Sequence, residues 1–326
     1  MSDPNVKALS DQHPERIYKY RSFSNRTIEM LVEDTLFYAD PSTFNDPLDT
    51  RPMLKADVEV DVLQSMLRTF VERRTKAEME AAAETIRYRG PKTLEHILKL
   101  GRTQADKVLQ DIAYNAGDPA YEVDDPETFL LRSYSERELL RQYDKGVVSM
   151  SERWDSPLMW SHYGDQHRGI CIGYSIPDNA VRDVRKVQYG GGRIVAASLV
   201  ASMLQGDVAA QQQVDDLVLL RKAEDWGYEC EWRLIGNRGS QDSPLELEDI
   251  TFGIRCDMAV KFAIVQALMG RQRPPSFFEM HVDDGTFNLR RRELDIDELK
   301  VSLPRRSRQY IDAFDDLPDI APPEAP

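Results

Sequence analysis

Several short segments alternate apolar and polar residues, and this period of two predicts β-strands. The clearest is residues 226–235, in which Tyr, Cys, Trp and Leu alternate with charged residues. The alternation predicts a half-buried strand that carries Glu229, Glu231 and Arg233 along one face, with alternate side chains about 6–7 Å apart. A row of this kind is either a salt-bridged, solvated sheet face or the floor of a site.

Other segments show either the same alternation of apolar and polar residues or the spacing of apolar residues that is typical of helices. Strands are predicted at residues 17–23, 35–39, 147–151, 169–176, 184–189, 250–254, 277–282 and 286–294. Helices are predicted at residues 25–33, at several places between 57 and 141, and at 158–163, 194–204, 208–224 and 257–269. Ser24 (or Asn25) and Ser156 are suitable caps for two of these helices, since their side chains can accept hydrogen bonds from free backbone amides.

These elements together predict an α+β protein with a central mixed or antiparallel sheet and a helical insertion at about residues 56–143. We expect a flexible N-terminus at residues 1–15, a single domain at 16–311, and a disordered acidic, Pro-rich tail at 312–326.

The charge of the chain limits its partners. The sequence has 326 residues, a net charge of −14 and a pI near 4.9, which argues against general binding to nucleic acid or to anionic membranes. A local basic cleft for a phosphorylated small molecule stays compatible with this charge. The sequence has no apolar signal core and no long apolar run, and its three cysteines are widely spaced, so we expect a cytoplasmic protein with reduced thiols and no membrane association.

Glu229 and Glu231 are the first candidates for catalysis. Two carboxylates on one face can divide the work: one binds a ribose hydroxyl and stabilises an oxocarbenium-like centre, and the other orients or deprotonates a nucleophile. The alternative is a structural row of charges paired with Arg233.

Two segments near the N-terminus carry further candidates. Arg21, next to Tyr20, suits a bidentate contact to a pyrophosphate or carboxylate, or else lies at the surface stacked on an aromatic ring. Asn45, in the sequence Phe-Asn-Asp-Pro, either projects into a cleft or satisfies its own loop as an Asx-turn.

The middle of the chain adds polar and aromatic candidates. Ser149 and Ser151 alternate on a predicted strand, and Trp160, His162 and Tyr163 follow on a short helix. We consider all five as residues that could line a cofactor site, although Trp and Tyr at helical spacing more often form core. The spacing of His162 and His167 does not match a helical zinc site, so we expect no metal.

The segments Tyr-Lys-Tyr-Arg-Ser at 18–22, Phe-Asn-Asp-Pro at 44–47, Trp-Ser-His-Tyr at 160–163 and Tyr-Glu-x-Glu-Trp-Arg at 228–233 together resemble the bacterial family called domain of unknown function 2971. They occur in the family order across residues 16–236. The family name implies no activity. Members are associated with bacterial defence and mobile elements, which suggests a toxin or an anti-phage defence effector.

The order of an early arginine, a Ser-x-Ser strand and a later Glu-x-Glu strand also resembles the arginine–serine–glutamate group of ADP-ribosyltransferases. That resemblance implies that Arg21 holds the phosphates or ribose of NAD and that Ser149 or Ser151 braces the nicotinamide ribose. It further implies that Glu231 stabilises the oxocarbenium ion and that Glu229 directs the acceptor.

The leading hypothesis is therefore an enzyme that consumes NAD as its substrate, either an ADP-ribosyltransferase-like enzyme or an NAD glycohydrolase. Its partners would be a small-molecule nucleotide and an unknown macromolecular acceptor. Two alternatives stay open: a non-enzymatic ligand-sensing or interaction module of a defence system, and a metal-dependent nuclease or hydrolase.

Overall fold

The computed structural model describes residues 13–88, 90, 93–119, 122–143 and 145–305. Most of the N-terminal segment 1–15 and the whole tail 312–326, which the sequence predicts to be flexible or disordered, lie outside these residues. By their internal contacts the described residues form two compact units. The first comprises 13–17, Thr35–Arg153 and Ile176–Pro244, and the second comprises Tyr18–Asp34, Trp154–Ser175 and residues 245–305.

The strands, in chain order, are β1 (Arg16–Arg21), β2 (Thr35–Tyr38), β3 (Met53–Lys55), β4 (Lys145–Ser151), β5 (Ile170–Ser175), β6 (Val184–Lys186), β7 (Gln188–Tyr189), β8 (Ile194–Ala196), β9 (Arg221–Lys222), β10 (Glu231–Asn237), β11 (Gly239–Asp242), β12 (Glu246–Phe252), β13 (Ser276–Val282) and β14 (Leu289–Glu293). The helices are α1 (Asn25–Glu33), α2 (Val60–Thr85), α3 (Thr93–Ala116), α4 (Pro126–Arg141), α5 (Pro157–His162), α6 (Ala197–Leu204), α7 (Val208–Leu219), α8 (Met258–Leu268) and α9 (Ile296–Ser302). Two short 3-10 helices span Pro41–Thr43 and Glu224–Glu229.

The first unit combines a small antiparallel sheet with a large helical core. Strand β10 pairs with β4 on one side and with β6 on the other. Buried residues of α2, α3, α4, α6 and α7, among them Leu67, Phe70 and Val214, form one hydrophobic cluster. The three helices α2, α3 and α4 occupy the interval in which the sequence predicted a helical insertion.

The second unit is built on a mixed sheet. Strand β12 pairs antiparallel with β5 and parallel with β13, and β13 pairs antiparallel with β14. Strand β1 lies beside β5, and α8 connects the parallel pair, as a parallel connection requires. The predicted α+β class with a mixed sheet is confirmed.

Local capping explains where the predicted helices begin. The side chain of Ser24 accepts a hydrogen bond from the Thr27 amide (3.2 Å) at the start of α1, and Ser156 caps α5, where Pro157 occupies the first turn. Pro needs no amide partner at that position, so it favours the start of a helix.

Four predictions for residues 184–235 were wrong in part. The segment 184–189 divides into β6 and β7, and residues 194–196 form β8 before α6 begins. The helix predicted at 208–224 ends at Leu219 and is followed by β9. The strand predicted at 226–235 begins only at Glu231, because residues 224–229 form a 3-10 helix. The elements begin and end elsewhere than predicted because strand pairing between distant segments overrides the alternation of apolar and polar residues within a short segment.

No helix among the described residues combines the length and the apolar character needed to cross a membrane.

Candidate functional site

Five charged side chains of the first unit form a buried cluster, which we call the ion cluster. Its members are Asp49, Lys222, Glu229, Glu231 and Arg233, whose residue exposures are 4%, 8%, 3%, 3% and 0%. Ionisable groups are rarely buried to this extent unless they are paired. The predicted row of charges is therefore not solvated, and it does not form the floor of an open cleft. Its charged residues are buried more deeply than the half-buried aromatic Tyr228.

The backbone brings Glu229 and Glu231 together by an unpredicted route. Glu229 ends the 3-10 helix, Cys230 has a left-handed conformation (φ 46°), and Glu231 begins β10. A non-Gly residue in this conformation carries a steric cost. The sharp reversal at Cys230, and not the period of a strand, aims both carboxylates at Lys222.

Arg233 makes the most contacts in the ion cluster. Its Nε donates to Glu231 Oε1 (2.8 Å), and its Nη2 donates to Glu231 Oε2 (3.0 Å) and to Asp49 Oδ2 (2.7 Å). Its Nη1 donates to the Leu219 carbonyl (2.6 Å). Burial lowers the pKa of Arg233, but Glu231 and Asp49 outweigh burial and raise it above its ordinary value.

Lys222 supplies the second cation. Its Nζ lies 2.5 Å from Glu229 Oε2, 3.1 Å from Glu231 Oε2 and 3.5 Å from Asp49 Oδ2. Burial lowers the pKa of Lys222, but the charges of Glu231 and Glu229 outweigh burial and raise it. For Glu231 burial favours the neutral acid, yet Arg233 and Lys222 lower its pKa well below the ordinary value. Glu231 is therefore an anion at neutral pH.

The ion cluster contains three carboxylates and two cations, so its formal sum is one negative charge when all five groups are ionised. Asp49 Oδ1 is buried and has no hydrogen-bond partner among the described residues. One acceptor of the cluster therefore lacks a donor, and the cluster has more capacity to hold positive charge than it uses.

Aromatic rings cover the two cations. The guanidinium of Arg233 lies 5.3 Å from the Phe44 ring, and the ammonium of Lys222 lies 5.1 Å from the Trp226 ring. Trp226 Nε1 donates to Asp46 Oδ2 (2.8 Å). Cations at these distances are stabilised by the ring faces, so the Phe-Asn-Asp-Pro loop belongs to the surroundings of the ion cluster.

Within that loop Asp46 and Asn45 differ. Asp46 Oδ1 accepts from the Leu48 amide (2.8 Å), which is the Asx-turn that the sequence predicted as the structural role of this segment. Asn45 is exposed.

Ser149 and Ser151 lie on β4, the strand beside Glu231. The register pairs Glu231 with Ser151 and Arg233 with Ser149. The Ser149 hydroxyl donates to the Glu231 carboxylate and helps to lower its pKa. Ser151 is wholly buried and its hydroxyl donates to the Glu229 carbonyl (2.6 Å). The structure thus brings four of the predicted site residues together: the two glutamates and the two serines.

Tyr189 fixes the start of β10. Its hydroxyl accepts a hydrogen bond from the Glu231 amide (2.7 Å). Burial, followed by the charges of Glu231 and Glu229, raises the pKa of Tyr189, so it stays a neutral phenol.

The other candidates belong to the second unit, in which Tyr20 and Trp160 are core residues. Trp160 is 0% exposed, its Nε1 donates to the Trp154 carbonyl (2.8 Å), and its ring meets Tyr20 edge-on at 5.2 Å. Burial raises the pKa of Tyr20, and Cys171 adds to this.

Arg21 follows Tyr20 on β1 and is half-buried. Its Nε is buried without a hydrogen-bond partner, and the guanidinium forms no ion pair among the described residues. Burial lowers the pKa of Arg21, Tyr174 raises it, and Arg26 lowers it further. A half-buried cation with a like charge nearby and no paired anion is electrostatically unfavourable, and an anionic ligand would improve this environment.

His162 and Tyr163 lie at the end of α5, where an unusual turn begins. His162 is exposed and meets the half-buried Tyr163 edge-on at 6.2 Å. Residues 165–167 all have left-handed backbones (φ 49°, 54° and 68°). Consecutive non-Gly residues in this region store strain, which is often retained at functional positions. The turn is closed by Gly164, whose carbonyl accepts from the Gly169 amide (2.9 Å).

Sequence reasoning missed two members of the ion cluster. Lys222 and Asp49 reach the glutamates through pairing of β9 with β7 and through the loop after Asp46. Neither connection produces a regular alternation of apolar and polar residues that could be recognised in the sequence. The density of acids after Phe44 was the available signal for Asp49, and no comparable signal pointed to Lys222.

Among the described residues, no group of three or more His, Cys, Asp or Glu side chains is arranged to hold a metal ion.

Comparison with known proteins gives one match. Residues 159–234 match the family described as protein of unknown function (DUF2971), which confirms the family resemblance over that segment. The matched segment contains Lys222, both glutamates and Arg233. No curated protein and no solved structure matches the chain significantly.

Proposed function

We propose that this protein consumes NAD, either as an ADP-ribosyltransferase-like enzyme or as an NAD glycohydrolase. Its segment that matches DUF2971 contains most of the ion cluster. In this proposal Glu231 is the carboxylate that stabilises the oxocarbenium-like ribose.

The observation that carries the proposal is the contact of Ser149 with Glu231. A Ser-x-Ser strand lies directly beside the strand of the glutamate, and its first hydroxyl donates to the carboxylate. The hydroxyl and Arg233 fix the orientation of Glu231 and keep it ionised. A fixed anion stabilises a developing positive charge more strongly than a mobile one, because it needs no reorganisation.

The proposed reaction breaks the bond between the nicotinamide nitrogen and C1′ of the ribose. The bonding electron pair leaves with nicotinamide, and C1′ becomes positively charged. The oxygen of water, or of an acceptor, then forms the new bond to C1′ and releases a proton. Glu229 is the proposed residue that orients this nucleophile, and the proton passes to solvent.

The ion cluster as described is closed, since Lys222 occupies the side of Glu231 Oε2. A cationic ribose and the Lys222 ammonium compete for the same oxygen. We therefore expect turnover to require that the Lys222 ammonium moves away from Oε2, with Glu229 still available to hold it.

Arg21 lies in the second unit and is proposed, separately from the ion cluster, to bind an anion, because its guanidinium has no anionic partner among the described residues. The proposal assigns no role to the remaining candidates, which are Tyr20, Asn45, Ser151, Trp160, His162 and Tyr163. We also propose a cytoplasmic toxin or defence effector, since NAD is a cytoplasmic metabolite.

The test is release of nicotinamide from NAD by the purified full chain. ADP-ribose as the second product identifies a glycohydrolase, and transfer of a labelled ADP-ribosyl group to a macromolecule in cell extract identifies a transferase. Absence of both products contradicts the proposal.

One observation favours a second candidate, a non-enzymatic ligand-sensing or interaction module in which the ion cluster has a structural role. The charges of the ion cluster are mutually paired and closed to solvent, an arrangement that also suits a purely structural role. If the protein is such a module, NAD or ADP-ribose should raise its melting temperature, and NAD should stay intact after prolonged incubation. No observation favours the metal-dependent hydrolase.

A further inference from the structure

A second polar site lies in the first unit, in a groove of about 400 Å³. We call it the arginine groove. Its polar lining residues are Arg185, Lys186, Gln188, Gln213, Asp216 and Arg221. Three cations and two amides face one carboxylate there, although the whole chain has a net charge of −14. The groove therefore concentrates positive potential on an acidic protein.

Two of the three cations are already paired. Arg185 Nη2 lies 2.8 Å from Asp216 Oδ1 and 2.9 Å from Oδ2. Lys186 Nζ lies 3.2 Å from Glu152 Oε2. These pairs hold the walls of the groove in place and leave its net charge positive.

Arg221 is the cation without a partner. It is half-buried, and within the described residues its guanidinium makes no hydrogen bond or ion pair. The backbone of Gly191 (φ 75°) passes close by, and a Cβ atom built there would lie 3.3 Å from Arg221 Nη1. Gly191 thus gives the guanidinium room and adopts a conformation that other residues rarely take.

The pairing of β7 with β9 connects the arginine groove to the ion cluster. The register places Gln188 beside Arg221 and Tyr189 beside Lys222. Successive residues of a strand point to opposite sides. One side of this short ladder therefore lines the groove, and the other side contacts Glu231 through Tyr189 and Lys222.

We infer that the arginine groove binds a phosphate-bearing small molecule through Arg221, with the Gln188 and Gln213 amides as neutral donors. A planar guanidinium matches two phosphate oxygens, and amides add donors without adding repulsion. The volume suits a di- or monophosphate group with part of its carrier. This site does not depend on the NAD chemistry.

Another groove of the first unit provides an internal comparison. It has a volume of about 520 Å³ and is lined by Arg73, Arg74 and Arg141. Arg74 and Arg141 bond to Glu138 (2.8 and 3.3 Å), and Arg73 donates to the Leu204 carbonyl (2.7 Å). Its arginines are engaged, so we assign it no ligand. Arg141→Gln is therefore a control that removes the same charge from a similar groove.

The experiment is calorimetric titration of the full chain with inorganic pyrophosphate, using wild type, Arg221→Gln and Arg141→Gln. Charge-assisted hydrogen bonds are strong, so Arg221→Gln is expected to weaken binding by about tenfold or more, and Arg141→Gln by less than about twofold. Gln188→Glu is a second variant that keeps Arg221 and supplies a competing carboxylate beside it. It is expected to weaken binding as well.

Two results overturn the inference: no pyrophosphate binding by wild type, or equal affinity in wild type and Arg221→Gln. Sulfate is titrated in parallel, and equal affinity for sulfate contradicts selection of the phosphate class. Nicotinamide release is measured on the same samples. Loss of pyrophosphate binding with unchanged release separates the groove from the proposed NAD chemistry.

Discussion

The Arg233 guanidinium holds the Glu231 carboxylate by two hydrogen bonds, from Nε to Oε1 (2.8 Å) and from Nη2 to Oε2 (3.0 Å). The two residues are two positions apart on β10, so their side chains leave the strand on the same side. Both are almost wholly buried. Because of this pair, the stability of the first unit depends on the charge state of Glu231, the proposed catalytic residue.

Removal of the Arg233 charge should destabilise the protein strongly. Arg233→Gln leaves three buried carboxylates, those of Asp49, Glu229 and Glu231, with only Lys222 to balance them, and breaking a buried pair in this way costs about 3–5 kcal/mol. The control is Arg68→Gln, which breaks the exposed pair with Asp106 (2.7 Å) and should cost at most about 1 kcal/mol. Urea denaturation measures both, and similar losses would contradict the account.

Ionisation of Glu231 should make stability depend on pH in the acid range. Its pKa in the folded protein lies below the ordinary value of 4.5, so the unfolded chain binds the proton more readily. The contribution is present above pH 4.5 and is lost as the pH falls from there through the pKa of the folded protein. Wild type should therefore lose more stability than Glu231→Gln between about pH 5 and pH 3. Parallel curves for the two proteins would falsify this assignment.

Arg21 should contribute to ligand binding and little to stability. Its guanidinium has no ion pair among the described residues, so Arg21→Gln should change the free energy of unfolding by about 0.5 kcal/mol or less. The affinity of the protein for inorganic phosphate should fall. The control in the same unit is Arg271→Gln, which loses hydrogen bonds to Asp34 (2.8 Å) and Leu31 (3.1 Å) and should cost about 1 kcal/mol.

A large loss of stability in Arg21→Gln, with an unchanged affinity for phosphate, would identify Arg21 as a structural residue. Denaturation and calorimetric titration with phosphate on the same preparations give both quantities.

Local patterns predicted the elements whose causes are local. The cap at Ser24, the Pro157 start of α5 and the buried apolar run of β5 all depend on neighbouring residues, and the structure has them where the sequence indicated. Glu229, Glu231, Ser149 and Ser151 lie together because β10 pairs with β4, and their role in a site stays a prediction.

The parts that were missed depend on contacts distant in sequence. Lys222 meets Glu231 because β9 pairs with β7, a ladder of two residues that no hydrophobic period can reveal. The left-handed Cys230 is unexpected for a non-Gly residue. Burial of three acids could not be predicted either, since charged residues are ordinarily exposed and become stable inside only through partners supplied by the fold.

The most direct test of the central claim is nicotinamide release by wild type, Glu231→Gln and Glu138→Gln. Glu138 is also a buried glutamate of the first unit, and it is paired with Arg74 away from the ion cluster. If Glu231 stabilises the oxocarbenium ion, Glu231→Gln should lose about 10²- to 10³-fold in kcat/KM, and Glu138→Gln should keep the wild-type value. Equal kcat/KM in wild type and Glu231→Gln, or an equal loss in both variants, would contradict the claim.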